Sequence, residues 1–249
     1  MKKIIAGICL VMAATNVSAK DANDPLTAQA ELGFLMSSGN SESRSINGKL
    51  SAEYNLEKWK YKGAIDGLSA ASADPDVPGS EMETSAQRYG FNLQADRKLQ
   101  NNHSLFVKGS YDDDRFSGFD YETSASLGYG HQVIKSPRRN FRVEVGPGFR
   151  ISQPEVGERE DEAVIATSFL FDQRIGDTSK FSQILDIDAG DERTISTSVT
   201  SLSAQIVGQL AMKLSFTMKH NSDPAIDEDT NIEKESLDKE TSINLVYSF

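Results

Sequence analysis

The chain has 249 residues and a formal net charge of −11, which excludes partners held by overall positive charge, nucleic acid and anionic headgroups among them. Hydrophobic residues make up 38% and mean hydropathy is −0.44. These values exclude a helical membrane protein but not a β-barrel, whose apolar residues are diluted by alternation.

At the N-terminus Met1, Lys2 and Lys3 form a basic region, Ile4 to Ala14 an apolar run and Val17-Ser18-Ala19 a small-residue cleavage motif. Together they predict a signal peptide over residues 1–19, cleaved near Ala19, ahead of one mature domain over residues 20–249. The run is shorter than the roughly 20 residues a spanning helix needs. Cleavage removes Lys2 and Lys3, taking the charge from −11 to −13. It also removes Cys9, the one cysteine, leaving no thiol for disulfides, thiolate metal sites or a cysteine nucleophile. Cys9 follows Ile8 and lies too early in the run for a lipoprotein.

The first strand is Leu26 to Ser37, where Leu26, Ala28, Ala30, Leu32, Phe34 and Met36 alternate with Thr27, Gln29, Glu31 and Gly33. Ser37 to Glu42 has hairpin-loop composition, and Arg44 to Leu56 returns with Ile46, Leu50 and Tyr54 on one face. Glu57-Lys58 turns into strand three, Trp59 to Ala71. Prolines at 75 and 78 make Ser72 to Glu83 a surface connection. Strand four runs from about Thr84 to Leu99, and Gln100 to Asn102 turns into strand five, His103 to Tyr111, with Asp112 to Asp114 read as an acidic connection. Strand six is Phe119 to Ile134, followed by a basic turn, Lys135 to Asn140. Strand seven is the cleanest: Phe141, Val143, Val145, Pro147, Phe149 and Ile151 alternate with Arg142, Glu144, Gly146, Gly148 and Arg150. After an acidic loop, Gln153 to Asp161, strand eight carries apolar residues on both faces, Val164, Ala166 and Leu170 besides Ile165, Phe169 and Phe171, which predicts a bulge or a plugged lumen there. Strand nine holds Phe181, Leu185, Ile187 and Ala189; strand ten spans about Thr194 to Gly208 and strand eleven Met212 to His220. A long acidic loop, Asn221 to Asp238, precedes the last strand, Glu240 to Phe249, on which Thr241, Ile243, Leu245, Tyr247 and Phe249 share one face.

Twelve strands return the chain to the side where it began, with short turns on that side and longer, more acidic connections opposite, the asymmetry of outer-membrane barrels. Aromatic residues mark both rims: Tyr54, Trp59, Tyr61, Tyr129, Phe141, Phe171, Phe181, Tyr247 and Phe249 toward the termini, and Tyr111, Tyr121 and Phe149 opposite. The fold predicted is an all-β, transmembrane, antiparallel up-and-down barrel of about twelve strands in the outer membrane of a Gram-negative cell. A soluble sandwich or lipocalin-like barrel is the alternative, with its apolar face turned inward. A last strand ending in Phe249 resembles the signature by which such barrels are recognised for insertion, so the barrel-assembly machinery is an expected partner, alongside outer-membrane lipid and lipopolysaccharide.

Three segments carry a more specific resemblance: Gly33 to Ser45 (GFLMSSGNSESRS), Leu210 to Phe216 (LAMKLSF) followed by Asn221-Ser222-Asp223-Pro224, and the closing Thr241 to Phe249. The chain resembles the salt-induced outer-membrane proteins grouped as a domain of unknown function (YdiY-like). The resemblance covers essentially the whole mature chain. It implies an outer-membrane location and expression linked to salt, and brings no activity, cofactor or site residue with it.

Function is then read from the lumen and loops. Twelve tilted strands give a backbone diameter of about 24 Å and leave on the order of 12 Å between side chains. The inward set is mixed in sign: Glu31, Lys49, Glu53, Lys60, Lys62, Asp66, Arg88, Asp96, Lys108, Arg142, Glu144, Arg150, Asp172, Asp186, Asp188, Lys213 and Lys219. Such charges can pair across the gap, which favours a structural or envelope-stress barrel; the alternative is a narrow, weakly selective channel for ions or small solutes. Asp227-x-Asp229-x-Asn231 begins like a calcium loop, but Ile232 and Asp238 stand where Gly and Glu are needed, so no metal site or other cofactor is expected. His220 and Ser222 have the His-x-Ser spacing of some outer-membrane lipid hydrolases, with no third residue to orient the imidazole, and the chain is read as a non-enzyme.

Overall fold

The structure is a computed structural model that describes residues 25–37, 43–73, 81–114, 117–226 and 232–249. The cleavage motif, Cys9, the first hairpin loop and the Asp227 to Asn231 pattern lie outside these residues. The strands are β1 (Leu26–Ser37), β2 (Ser43–Asn55), β3 (Trp59–Ser72), β4 (Glu83–Lys98), β5 (His103–Asp114), β6 (Phe119–Lys135), β7 (Arg139–Pro154), β8 (Glu160–Ile175), β9 (Ser179–Gly190), β10 (Thr194–Val207), β11 (Leu210–Asn221) and β12 (Leu237–Ser248). Each pairs antiparallel with its chain neighbours, and β12 returns to β1 to close the barrel. The closing seam is short, Gln29–Gly33 against Asn244–Ser248. At its terminal end the Phe249 N–H donates to the Ala28 carbonyl at 2.8 Å.

Side-chain burial decides which face meets lipid. Val107 and Leu127 are 62% and 61% exposed, whereas the alternate Glu144 and Asp96 are 3% and 1% exposed. A soluble barrel needs the opposite distribution, so the lipocalin-like alternative is excluded and the apolar belt faces a membrane. The rim aromatics assemble into pairs across and along strands. At the terminal end Trp59 stacks with Tyr61 at 6.0 Å, Phe171 meets Phe141 at 6.5 Å and Phe181 at 6.4 Å, and Tyr247 meets Phe249 at 4.9 Å. Tyr111 and Tyr121 stack at 6.2 Å toward the other end. His103 and His131 join the terminal girdle, stacked at 4.4 Å, and Tyr129 hydrogen-bonds His103 Nδ1.

One wall is sharply pressed together. Gly128 on β6 and Gly146 on β7 lie back to back, and a Cβ on either would collide with the other strand's backbone and, at Gly128, with the Phe106 ring. Pro147, which has no N–H to give, interrupts the ladder at the same place. The missing side chains let Phe106 fill the inside of this corner, where it is 4% exposed.

Several boundaries differ from the sequence reading. Asp112–Asp114 is the end of β5 and not a connection, with Asp112 facing the upper lumen; an acidic run reads as a turn only when strand interiors are assumed dry. β7 continues through Pro154 and β8 begins at Glu160, so the acidic loop shrinks to residues 155–159. The terminal strand begins at Leu237, three residues before the alternation becomes apolar. β8 keeps regular register with both neighbours. Register shifts occur instead on β3–β4, β5–β6, β6–β7 and β10–β11. The inward apolar residues of β8 line lumen cavities: Val164 and Ala166 one, Leu170 the other.

Candidate functional site

The lumen is the candidate site, and the expected free width of a twelve-strand barrel is bridged by side chains. Lys108 of β5 pairs with Asp186 of β9 at 3.3 Å, Lys219 of β11 with Glu122 of β6 at 3.3 Å, and Arg88 of β4 with Glu240 of β12 at 3.1 Å. These strands lie four or five places apart in the ring, so the pairs cross the interior instead of running along one wall. Lys213 and Glu31 pair at 3.0 Å beside Asn244 on the seam side.

The outer half, away from the termini, holds a buried cluster around Arg193, built on the wall from β6 to the β9–β10 connection. This residue sits in the three-residue connection between β9 and β10, yet its side chain is only 2% exposed. Its Nη2 donates to Glu122 Oε1 at 2.8 Å and to Ser152 Oγ, and Glu160 and Glu162 lie at 3.7 and 3.8 Å. The guanidinium stacks over Phe119 at 4.2 Å from the ring centroid, and Nε and Nη1 have no hydrogen-bond partner among the described residues. Arg150 completes the cluster: its Nε donates to Glu162 Oε1 at 3.0 Å and its Nη2 to the same oxygen and, at 2.8 Å, to the Arg193 carbonyl. A buried guanidinium requires this many acceptors, because desolvation costs several kcal/mol per ion. Above the cluster Ala225 and Lys234, which follow β11 and precede β12, reach the β5–β6 turn. Gly118 of the β5–β6 turn, at φ +83, packs so closely on Ala225 and Lys234 that a Cβ would lie 2.7 Å from the Ala225 Cβ.

Toward the termini the lumen is different. Asp96 accepts from Arg142 Nη2 at 2.8 Å and Gln94 at 3.0 Å, and Arg142 Nε donates to Glu144 at 2.6 Å. Beyond this belt lies a cavity of about 540 Å³ whose lining reaches Asn55, Lys98 and Lys135 at the terminal-side turns. A second cavity of about 200 Å³, lined by Lys108, Asp112, Glu122, Asp186 and Asp188, lies between the Arg142 belt and the Arg193 cluster. Charge is also segregated end to end. Lys58, Arg138, Arg139 and Arg174 gather at the terminal side, while Glu155, Glu158, Asp191, Glu192 and Asp223 gather opposite, so the net charge of −11 describes neither end.

Most of the inward set predicted from alternation does face the lumen and enters the pairs above. Reasoning from sequence missed Arg193, Glu122 and Glu162; Glu240 falls by alternation on the polar face of the last strand, and only its partner Arg88 was not foreseen. Alternation with Tyr121 and Ile165 could have placed Glu122 and Glu162 inside; Arg193, flanked by Asp191 and Glu192, looks like any solvated turn residue. His220 and Ser222 are not joined: the Ser222 hydroxyl accepts from the Thr194 N–H at 2.8 Å, and His220 is exposed on the β11 face shared with Phe216.

Residues 30–249 match the model of a family described as a protein of unknown function, DUF481. The chain belongs to this family. The uncharacterized protein YdiY of Escherichia coli (strain K12) is 24% identical over 229 residues, covering 91% of this chain and 84% of its own length. Among solved structures, the NanC porin is similar with a TM-score of 0.50 at 8% identity, covering 89% of this chain and 98% of the porin. The translocator domain of the autotransporter NalP from Neisseria meningitidis gives a TM-score of 0.46 at 10% identity, over 90% and 87% of the two chains. The porin likeness shows the fold, an outer-membrane-type barrel, and nothing of what passes through it.

Proposed function

We propose that the protein resides in the outer membrane as a barrel closed to solutes, with a structural role in the envelope linked to salt stress. The observation that supports this reading is the charge cluster in the outer half of the lumen, where Arg193 and Arg150 are buried beside Glu122, Glu160 and Glu162. The apolar belt and paired girdles support the location, the short turns then facing the periplasm and the acidic connections the cell surface. There, divalent ions would bridge carboxylates to lipopolysaccharide phosphates, an attraction sensitive to ionic strength. The test is permeation: proteoliposomes of the folded protein should swell in a small sugar no faster than empty ones, and swelling at a porin's rate would overturn the reading.

A narrow channel is the second reading, favoured by the two cavities stacked along the axis with only side chains between them. Assembly rests on the last strand, where Phe249 both joins the girdle and extends the seam through Ala28. Recognition of this end by the barrel-assembly machinery predicts that deleting Phe249 lowers membrane insertion far more than deleting Asp227 to Asn231. Equal insertion of the two variants would contradict it.

A further inference from the structure

The terminal-side cavity has more cationic groups than its carboxylates can satisfy. Five cations line it, Lys60, Lys62, Lys98, Lys135 and Arg142, against three carboxylates, Glu53, Asp96 and Asp172. Two of those acids have partners of their own: Glu53 holds Lys60 at 2.7 Å, and Asp172 is held by Lys180 at 2.9 Å from outside the lining set. Of the two remaining inner cations, Arg142 is also held by Glu144 at 2.6 Å, just inside the cavity, and Asp96 serves Arg142 and Lys62 unequally. Its Oδ1 takes Arg142 and Gln94, while its Oδ2, buried without a hydrogen-bond partner, stands 3.6 Å from Lys62 Nζ. That separation is an ion pair but not a hydrogen bond, so none of the three Lys62 donors is satisfied by it. Lys98 rests on neutral oxygens, the Asn55 side chain and the Leu56 carbonyl, each at 2.5 Å. Lys135 enters no ion pair among the described residues.

We propose that this cavity is a binding site for a small anion bearing carboxylate or phosphate groups, entering from the side of the termini and held by Lys62, Lys98 and Lys135. An oxyanion supplies what these ammonium groups lack, several acceptors and compensating charge, in a partly enclosed space that opens to the side of the termini. The volume of about 540 Å³ suits a metabolite-sized solute. At its inner end the cavity meets the Arg142–Asp96–Glu144 belt, so the site does not require that the lumen conduct.

The test is titration calorimetry of sodium citrate, and separately inorganic phosphate, into the folded full-length protein in phosphatidylcholine nanodiscs at low ionic strength. Wild type should bind, and the rim pair Lys98→Gln with Lys135→Gln should weaken citrate by about tenfold or more, with binding fading as salt rises. Lys62→Gln should do the same; the rim pair keeps the test valid if that inner change impairs folding. Lys239→Gln, on the outer face of β12, should leave the affinity unchanged. Phosphatidylglycerol in the nanodiscs decides the source: lowered citrate affinity, abolished in the rim pair, assigns the site to headgroup phosphate, and unaltered affinity assigns it to a free solute. No citrate or phosphate binding by protein of folded, heat-modifiable mobility, or equal affinity in wild type and rim variants, would overturn the proposal.

Discussion

The two halves of the lumen are built from the same residue types and reach opposite ends. In the outer half, two guanidinium groups meet Glu122, Glu160 and Glu162, and both are driven out of water: Arg150 and Arg193 are each 3% exposed. In the terminal half, Arg142 is as well bonded, but the lysines around it outnumber their acids and stay half-exposed around a cavity. The difference lies in the count of acceptors per cation and in the kind of cation. A planar guanidinium can be fully desolvated by fixed acceptors and a ring face, whereas a flexible, strongly hydrated ammonium keeps its water. Burial of lumen charge is therefore a matter of local stoichiometry more than of strand number.

The largest effect should come from breaking the outer cluster. Arg193→Met leaves Glu122 and Glu162 short of a buried partner and should cost about 3–5 kcal/mol, read from urea unfolding of the protein folded in lipid vesicles. On the β7 wall between the two halves, Val145→Arg would place a charge in the lipid-facing belt, with an expected loss of about 2–4 kcal/mol in the same assay. Its neighbour separates wall from lumen: Glu144→Gln keeps an acceptor for Arg142 and Gln94 and should cost only about 1–3 kcal/mol. That is still more than a freely wetted lumen residue would cost, because Glu144 is 3% exposed. At the small end, Lys108→Gln removes a cross-lumen pair whose side chains are 32% and 35% exposed, and a change within about 1 kcal/mol is expected. A larger loss there than at Arg193 would invert the comparison between buried and hydrated regions.

Much of this architecture was legible from alternation alone. Strand seven announced its two faces residue by residue, and the girdle aromatics fell where short turns placed them, since both signals are local and have a period of two. Strand ends were less legible. Asp112–Asp114 and Glu160-Asp161 look like loops because acidic runs usually do, and only a wet, pairing lumen lets them continue as strand. The outer cluster was legible only in part: alternation turns Arg150 and Lys219 inward, but not the partners they find. Glu122 and Lys219 are 97 positions apart, and Arg193 reaches Glu122 across 71; no periodicity reports on contacts made through the middle of a barrel. The terminal-side cavity was hidden for a related reason, since it follows from which lysines fail to find a partner.

The central claim, that the outer half of the lumen is closed to solutes, is tested most directly by planar-bilayer conductance of the folded protein in concentrated potassium chloride. Wild type should give no unitary steps, and the double change Arg150→Ser with Arg193→Ser, which empties the cluster, should give small ones. Regular steps from wild type, unchanged in the double variant, would contradict the account.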